Sequence, residues 1–124
     1  MDKQLIRTRF AKSIRSYAEY AQAQTVIASR LCSLLSAVLL EEPRRVLEVG
    51  CGTGTFTRRF LEQFRPEEMV LNDICPEVEE ALTDLLTPEA GESTPQISFT
   101  AGDAELCSLP GDRDLIASWS VLQW

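Results

Sequence analysis

Histidine is absent from all 124 residues, and no other gap in the composition removes more chemistry. Without an imidazole there is no Ser–His or Cys–His nucleophilic pair. Cysteine is sparse: Cys32, Cys51, Cys75 and Cys107 stand far apart with no C-x-x-C pair. Zinc-type spacing is therefore missing, no metal is expected, and the thiols are expected to be reduced. Long apolar runs are missing too. Nothing approaches the roughly 20 residues that a membrane-crossing helix needs, and the N-terminus has no signal-peptide hydrophobic region. A cytoplasmic protein without a membrane partner is the expectation. Neither an internal repeat nor a low-complexity tract interrupts the chain, whose length suits one domain with a real core.

Positive charge is scarce overall and concentrated where it occurs. The net charge of −7 argues against general nucleic-acid binding. Residues 1–30 hold six cations (Lys3, Arg7, Arg9, Lys12, Arg15, Arg30) against Asp2 and Glu19, a net of +4, which leaves −11 for the rest. Two readings fit a basic arm on an acidic body: attraction of an acidic partner, or a helix face turned to solvent.

What the chain does have is Val46-Leu47-Glu48-Val49-Gly50-Cys51-Gly52-Thr53-Gly54. A short apolar strand carrying one acid breaks into alternate glycines, and a helical pattern (Phe56, Phe60, Leu61, Phe64) follows at once. Strand, glycine turn and helix in that order open a nucleotide-binding α/β unit. Thr55 stands where the third glycine of a dinucleotide fingerprint belongs, and no Gly-Lys-Ser/Thr phosphate loop is present. Glu48 beside the turn suits a cationic ligand and repels a pyrophosphate. S-adenosylmethionine carries a sulfonium and an ammonium and no phosphate. The stretch resembles the first motif of class I S-adenosylmethionine-dependent methyltransferases. Its alternative is a surface acid next to a structural turn.

Before that unit the spacing predicts two helices. The first, about Leu5 to Ala21, has Ile6, Phe10, Ile14, Tyr17 and Ala21 in one stripe. The second runs from about Gln24 to Leu39, with Ile27, Leu31, Leu34, Leu35 and Val38 buried, and ends before Pro43. Strand one is expected at Arg45–Val49 and its helix at about Gly54–Phe64. Strand two, Met69–Asn72, delivers Asp73 at its carboxyl end, where such sheets present groups to ligands. Asp73 lies near the distance at which an acid grips both ribose hydroxyls; its alternative is a helix N-cap or turn residue. A helix beginning at Pro76 has Val78, Ala81, Leu82, Leu85 and Leu86 inward, with Glu77, Glu79 and Glu80 favourable at its positive end. Residues 87–95 read as a loop. Strand three follows at Gln96–Thr100 and strand four at Leu115–Ser118.

The resemblance extends further. Arg9-Phe10-Ala11 through Tyr17, Tyr20-Ala21-Gln22, Gly102-Asp103-Ala104-Glu105 and the terminal Val121-Leu122-Gln123-Trp124 are similar to the malonyl-[acyl-carrier protein] O-methyltransferase family of biotin synthesis. It departs at Trp119, where that family usually has Asn. The resemblance implies an α/β, Rossmann-like class I methyltransferase fold with an N-terminal helical extension over residues 1–42 and a cofactor-binding domain over 43–124. The family's sheet has seven strands in the order 3-2-1-4-5-7-6, so four strands imply truncation after the fourth. The implied S-adenosylmethionine contacts are Glu48, Gly50, Cys51, Gly52 and Gly54, Asp73 and Ile74, Asp103 and Ala104 at the adenine edge, and Ser118. Tyr17 is implied to orient substrate, or else simply packs its helix. Arg7, Arg9, Lys12 and Arg15 are implied to dock an acidic acyl-carrier protein, and the uncovered edge of strand four invites a homodimer. Rival readings are another class I methyltransferase acting on a small molecule, a non-catalytic cofactor-binding fragment, and, more remotely, a nicotinamide dehydrogenase.

Overall fold

The computed structural model describes residues 3–87 and 95–118, with side chains from residue 20 onward. Its centre is a four-stranded parallel sheet in the order β3-β2-β1-β4, from β1 (Arg45–Val49), β2 (Glu68–Asp73), β3 (Gln96–Ala101) and β4 (Leu115–Ser118). Order and strand positions agree with the cofactor-binding half expected from the sequence. In β1 and β2, Val46, Leu47, Val70 and Leu71 are buried on alternating faces, as central parallel strands require. Asp114 sets the start of β1: its Oδ2 accepts from the backbone N–H of Arg44 (2.8 Å) and Arg45 (2.9 Å). Those two donors hold its carboxyl below the usual range. β4 is the outer strand beside β1 among the described residues; Trp119, Val121, Leu122 and Trp124 lie outside them.

The N-terminal region differs from the expectation of two helices. A single helix, α1, runs from Lys3 to Val38. Gln22-Ala23-Gln24 contains only good helix formers, so the shift in apolar spacing there marks a change of face and not a break. The packed face differs as well. Ala28 and Cys32 are buried with Leu31, Leu35 and Leu39 beside them, whereas Ile27, Leu34 and Val38 are more than half exposed. Small residues at 28 and 32 let α1 settle closely on the aromatic face of α2 (Thr55–Gln63). Phe56, Phe60 and Phe64 form that face, with successive ring centroids 5.7 and 4.7 Å apart. Behind them, Val46, Met69, Leu71 and Ala117 complete the core.

After β2 the expected single helix is two short ones, α3 (Val78–Ala81) and α4 (Thr83–Leu86). Leu82 leaves the helical region between them (φ −101°, ψ 5°) and is fully buried, while Ala81, expected inward, is exposed. Arg58 of α2 holds this pair in place. Its guanidinium is bidentate to Asp84 (2.5 and 3.1 Å) and also donates to the Ala81 carbonyl (3.1 Å). No helix among the described residues is long and apolar enough to cross a membrane.

Candidate functional site

Parallel strands deliver their carboxyl ends to one edge, and there the sheet gathers most of the residues expected to bind cofactor. The turn after β1 reverses through Gly50 (φ 73°), Gly52 (φ 54°) and Gly54 (φ 91°). It is bonded to β2 at three points. The N–H groups of Gly50 and Cys51 donate to the Asn72 carbonyl (2.7 and 2.9 Å), and that of Gly52 donates to Asp73 Oδ2 (2.9 Å). Asp73 Oδ1 accepts from the Cys75 N–H (2.9 Å), closing a local turn. Each carboxylate oxygen can accept a further bond, so both readings of Asp73, turn former and hydroxyl acceptor, are compatible in one side chain. Ile74, next along, is 68 % exposed, an apolar surface beside that carboxylate.

The loop after β3 is tied to the same place. Gly102 donates to the Asp73 carbonyl (2.9 Å), and Asp103 Oδ1 accepts from the Glu105 N–H (2.9 Å). Gly102, Asp103 and Ala104 thus stand next to Asp73 on the adjoining strand end. Ser118 faces Val49 across the β4–β1 register, and its hydroxyl is buried without a partner among the described residues. The side chains of Tyr17, Arg7, Arg9, Lys12 and Arg15 lie outside the described residues.

Glu48 is placed more deeply than the sequence suggests. It is fully buried; Oε1 accepts from the Thr57 hydroxyl of α2 (2.5 Å), and Oε2 is buried with no partner among the described residues. Burial pushes its carboxyl up to about 8; the Thr57 bond opposes this and the charge of Asp73 adds to it. Burial thus favours the protonated form of Glu48. A nearby positive charge would favour its ionised form. Cys51 in the turn is pushed up to about 12, chiefly by burial and then by Glu48, and is an inert thiol.

Sequence reasoning missed two members of this edge. Thr57 is a polar residue among the phenylalanines of α2, and Asn72 follows the apolar run Met69–Leu71 of β2. A polar side chain on an apolar face is the signal that could have found both, because burial demands a partner.

Gly54 has little room for a side chain. Its φ of 91° is closed to ordinary residues, and an added Cβ would lie 3.0 Å from Leu82 Cδ2. Gly54→Ala is expected to lower stability by about 1–2 kcal/mol in urea melts, the cost of a left-handed backbone. An unchanged midpoint would show that the turn relaxes.

The carboxyl groups and absence of lysine or arginine from residues 46–54 suit a ligand with positive charge and hydroxyls, and disfavour a diphosphate. Fold and site define an α/β class I methyltransferase domain. Residues 46–124 match the family model described as "Methyltransferase domain", and the chain belongs to that family. Over 98 % of its length it is 45 % identical to the malonyl-[acyl-carrier protein] O-methyltransferase of Bacteroides fragilis, of which it covers 24 %. It is 42 % identical over its whole length to the enzyme of that name from Bacteroides thetaiotaomicron, covering 45 %. The Porphyromonas gingivalis relative of that name is 36 % identical, with 45 % covered. The chain thus spans half or less of these curated relatives. Among solved structures, a protein of Methanococcus maripaludis assigned as an S-adenosyl-L-methionine-dependent methyltransferase superposes with a TM-score of 0.66 at 14 % identity, over 91 % of this chain and 51 % of that one. An S-adenosylmethionine-bound amino pentose methyltransferase of Micromonospora echinaspora gives 0.58 at 18 %, over 86 % and 41 %. These two likenesses concern the fold.

Proposed function

We propose that the chain is the cofactor-binding part of an S-adenosylmethionine-dependent O-methyltransferase that esterifies the free carboxylate of malonyl-[acyl-carrier protein], the step in biotin synthesis that the resemblance implies. The cofactor reading rests above all on the bond from Gly52 to Asp73, which joins the glycine turn to the acid at the end of β2. The substrate reading rests on relatives of that name aligned along nearly the whole chain.

S-adenosylmethionine, when bound, supplies a methyl group on a positively charged sulfur. Asp73 accepts the ribose hydroxyls, the Gly50–Gly54 backbone admits the amino-acid end closely, and Asp103 with the Ala104 N–H reads the adenine edge. Glu48 balances positive charge from beneath the turn. The malonyl carboxylate is already ionised at neutral pH, so its oxygen needs no general base. Rate then comes from placing the two reactants in line and excluding water. Tyr17, in the leader part of α1, orients the acyl group in this scheme. The 1–42 segment forms the substrate side, and its cations (Arg7, Arg9, Lys12, Arg15) dock the acidic carrier.

Calorimetry on the chain should give saturable binding of S-adenosylmethionine and none of NAD; the reverse pattern refutes the cofactor reading. Labelled-methyl transfer to malonyl-carrier, with none to free short acids, supports the proposed substrate. Transfer to free acids favours a small-molecule enzyme, and binding without turnover favours a cofactor-binding role for this length of chain. Charge reversal at Arg7, Arg9, Lys12 and Arg15 should weaken carrier docking and flatten its salt dependence.

A further inference from the structure

Asn72 is the penultimate residue of β2, is 2 % exposed, and is the point where the two ligand-side loops meet. Its backbone carbonyl takes two N–H groups of the glycine turn, from Gly50 and Cys51. Its side chain points to the opposite face of the sheet from Asp73 and reaches the exit of β3. There Nδ2 donates to the Thr100 carbonyl (3.0 Å) and the Gly102 carbonyl (3.1 Å), and approaches Cys107 Sγ (3.7 Å).

Two carbonyl oxygens on either side of one residue are pure acceptors, so only a group with two hydrogens can join them. The amide does this where the backbone needs it. Gly102 sits at φ 138°, and an added Cβ there would lie 3.1 Å from Cys107 Cβ. The chain is thus bent into a conformation that side chains rarely adopt, immediately before Asp103. Asp103 then accepts, through its backbone carbonyl, the N–H groups of Leu106 and Cys107 (2.9 and 2.8 Å). Turn, bend and strand end form one bonded unit whose buried fastening is the Asn72 amide.

We infer that Asn72 is a positioning residue that holds the Asp103–Ala104 rim in register with the glycine turn and so sets the selectivity of the site for an adenine ring over its deaminated hypoxanthine counterpart. This rests on the reading that the rim faces adenine. Deamination turns the N6 donor into an acceptor and the N1 acceptor into a donor, so a well-placed carboxylate and N–H reject the product by inverted polarity. A rim that has drifted loses that rejection before it loses general affinity.

The test is calorimetry with S-adenosylhomocysteine and S-inosylhomocysteine on the parent chain, Asn72→Asp and Asn72→Ser, each first checked by thermal melting. Aspartate keeps the shape but removes both donors; serine is too short to reach either carbonyl and, being uncharged, is the milder variant should the first not fold. The parent is expected to prefer the adenine ligand by about thirtyfold, the effect of a charge-assisted bond and its partner. That ratio should fall to about threefold or less in both variants. A preference that survives in the folded variants, with both ligands weakened in proportion, means that Asn72 is merely structural and overturns the inference alone. A parent that binds the two ligands equally overturns the rim reading and the inference with it.

Discussion

Glu48→Gln is expected to make the protein more stable at alkaline pH than the parent, on the order of 5 kcal/mol at pH 9, while leaving it within about 1 kcal/mol at pH 5. The sign follows from proton counting. Burial raises the folded carboxyl from 4.5 to about 8, so between those values the folded chain holds a proton that the unfolded chain has released. Stability contributed by that proton is present below about 4.5 and is lost as pH rises through 8. Glutamine keeps the shape and an acceptor for the Thr57 hydroxyl but cannot ionise. Denaturant melts of parent and variant at pH 5, 7 and 9 should diverge; parallel curves would mean that Glu48 is ionised when folded. The same substitution separates charge from shape at the ligand. Binding of S-adenosylmethionine, with its sulfonium and ammonium, should weaken about tenfold, while S-adenosylhomocysteine, which keeps only the ammonium, should weaken less.

Asp73→Ala should weaken S-adenosylhomocysteine by about a hundredfold, the loss of charge-assisted bonds to two hydroxyls. Asp73 also accepts the Gly52 and Cys75 N–H groups, so part of any loss will come from a loosened turn. A ligand without the 2′ and 3′ hydroxyls removes the ribose contribution and leaves the turn contribution. Its affinity should fall no more than about fivefold on the same substitution. Equal losses for both ligands would assign Asp73 to the turn alone; it is not a helix N-cap, since α3 begins at Val78 after Glu77. The comparison needs only the two proteins and two ligands, in the manner of a double-mutant cycle.

The parallel sheet was legible because its strands are apolar on both faces and end in strong punctuation. Val46–Val49 runs into glycines, Met69–Leu71 into Asn-Asp, and Leu115–Ser118 follows an Asp-Arg-Asp turn. Helix packing was less legible. α1 carries more than one apolar stripe, and periodicity cannot say which meets the core; Ala28 and Cys32 won over Ile27, Leu34 and Val38 because aromatic rings already fill the opposing helix. The break at Leu82 was hidden for a related reason. No glycine or proline marks it, and what accompanies it is long-range: Leu82 is fully buried in the core, and Arg58 of α2 bonds Ala81 and Asp84. Glu48, Asp73 and Asp103 were visible as acids at strand ends. Asn72 and Thr57 were not, because their partners are carbonyls and a carboxyl from distant segments, which a local pattern does not contain.

The length of α1 has a consequence for what can react here. Thirty-six residues extend about 54 Å, some three times the reach of a five-residue strand. Measured along the helix from buried Ala28, Arg15 is about 20 Å away and Arg7 about 32 Å. If the proposed carrier docks on those cations, the tether that bears its acyl group would have to bridge this distance, a demand that a free small acid would not meet.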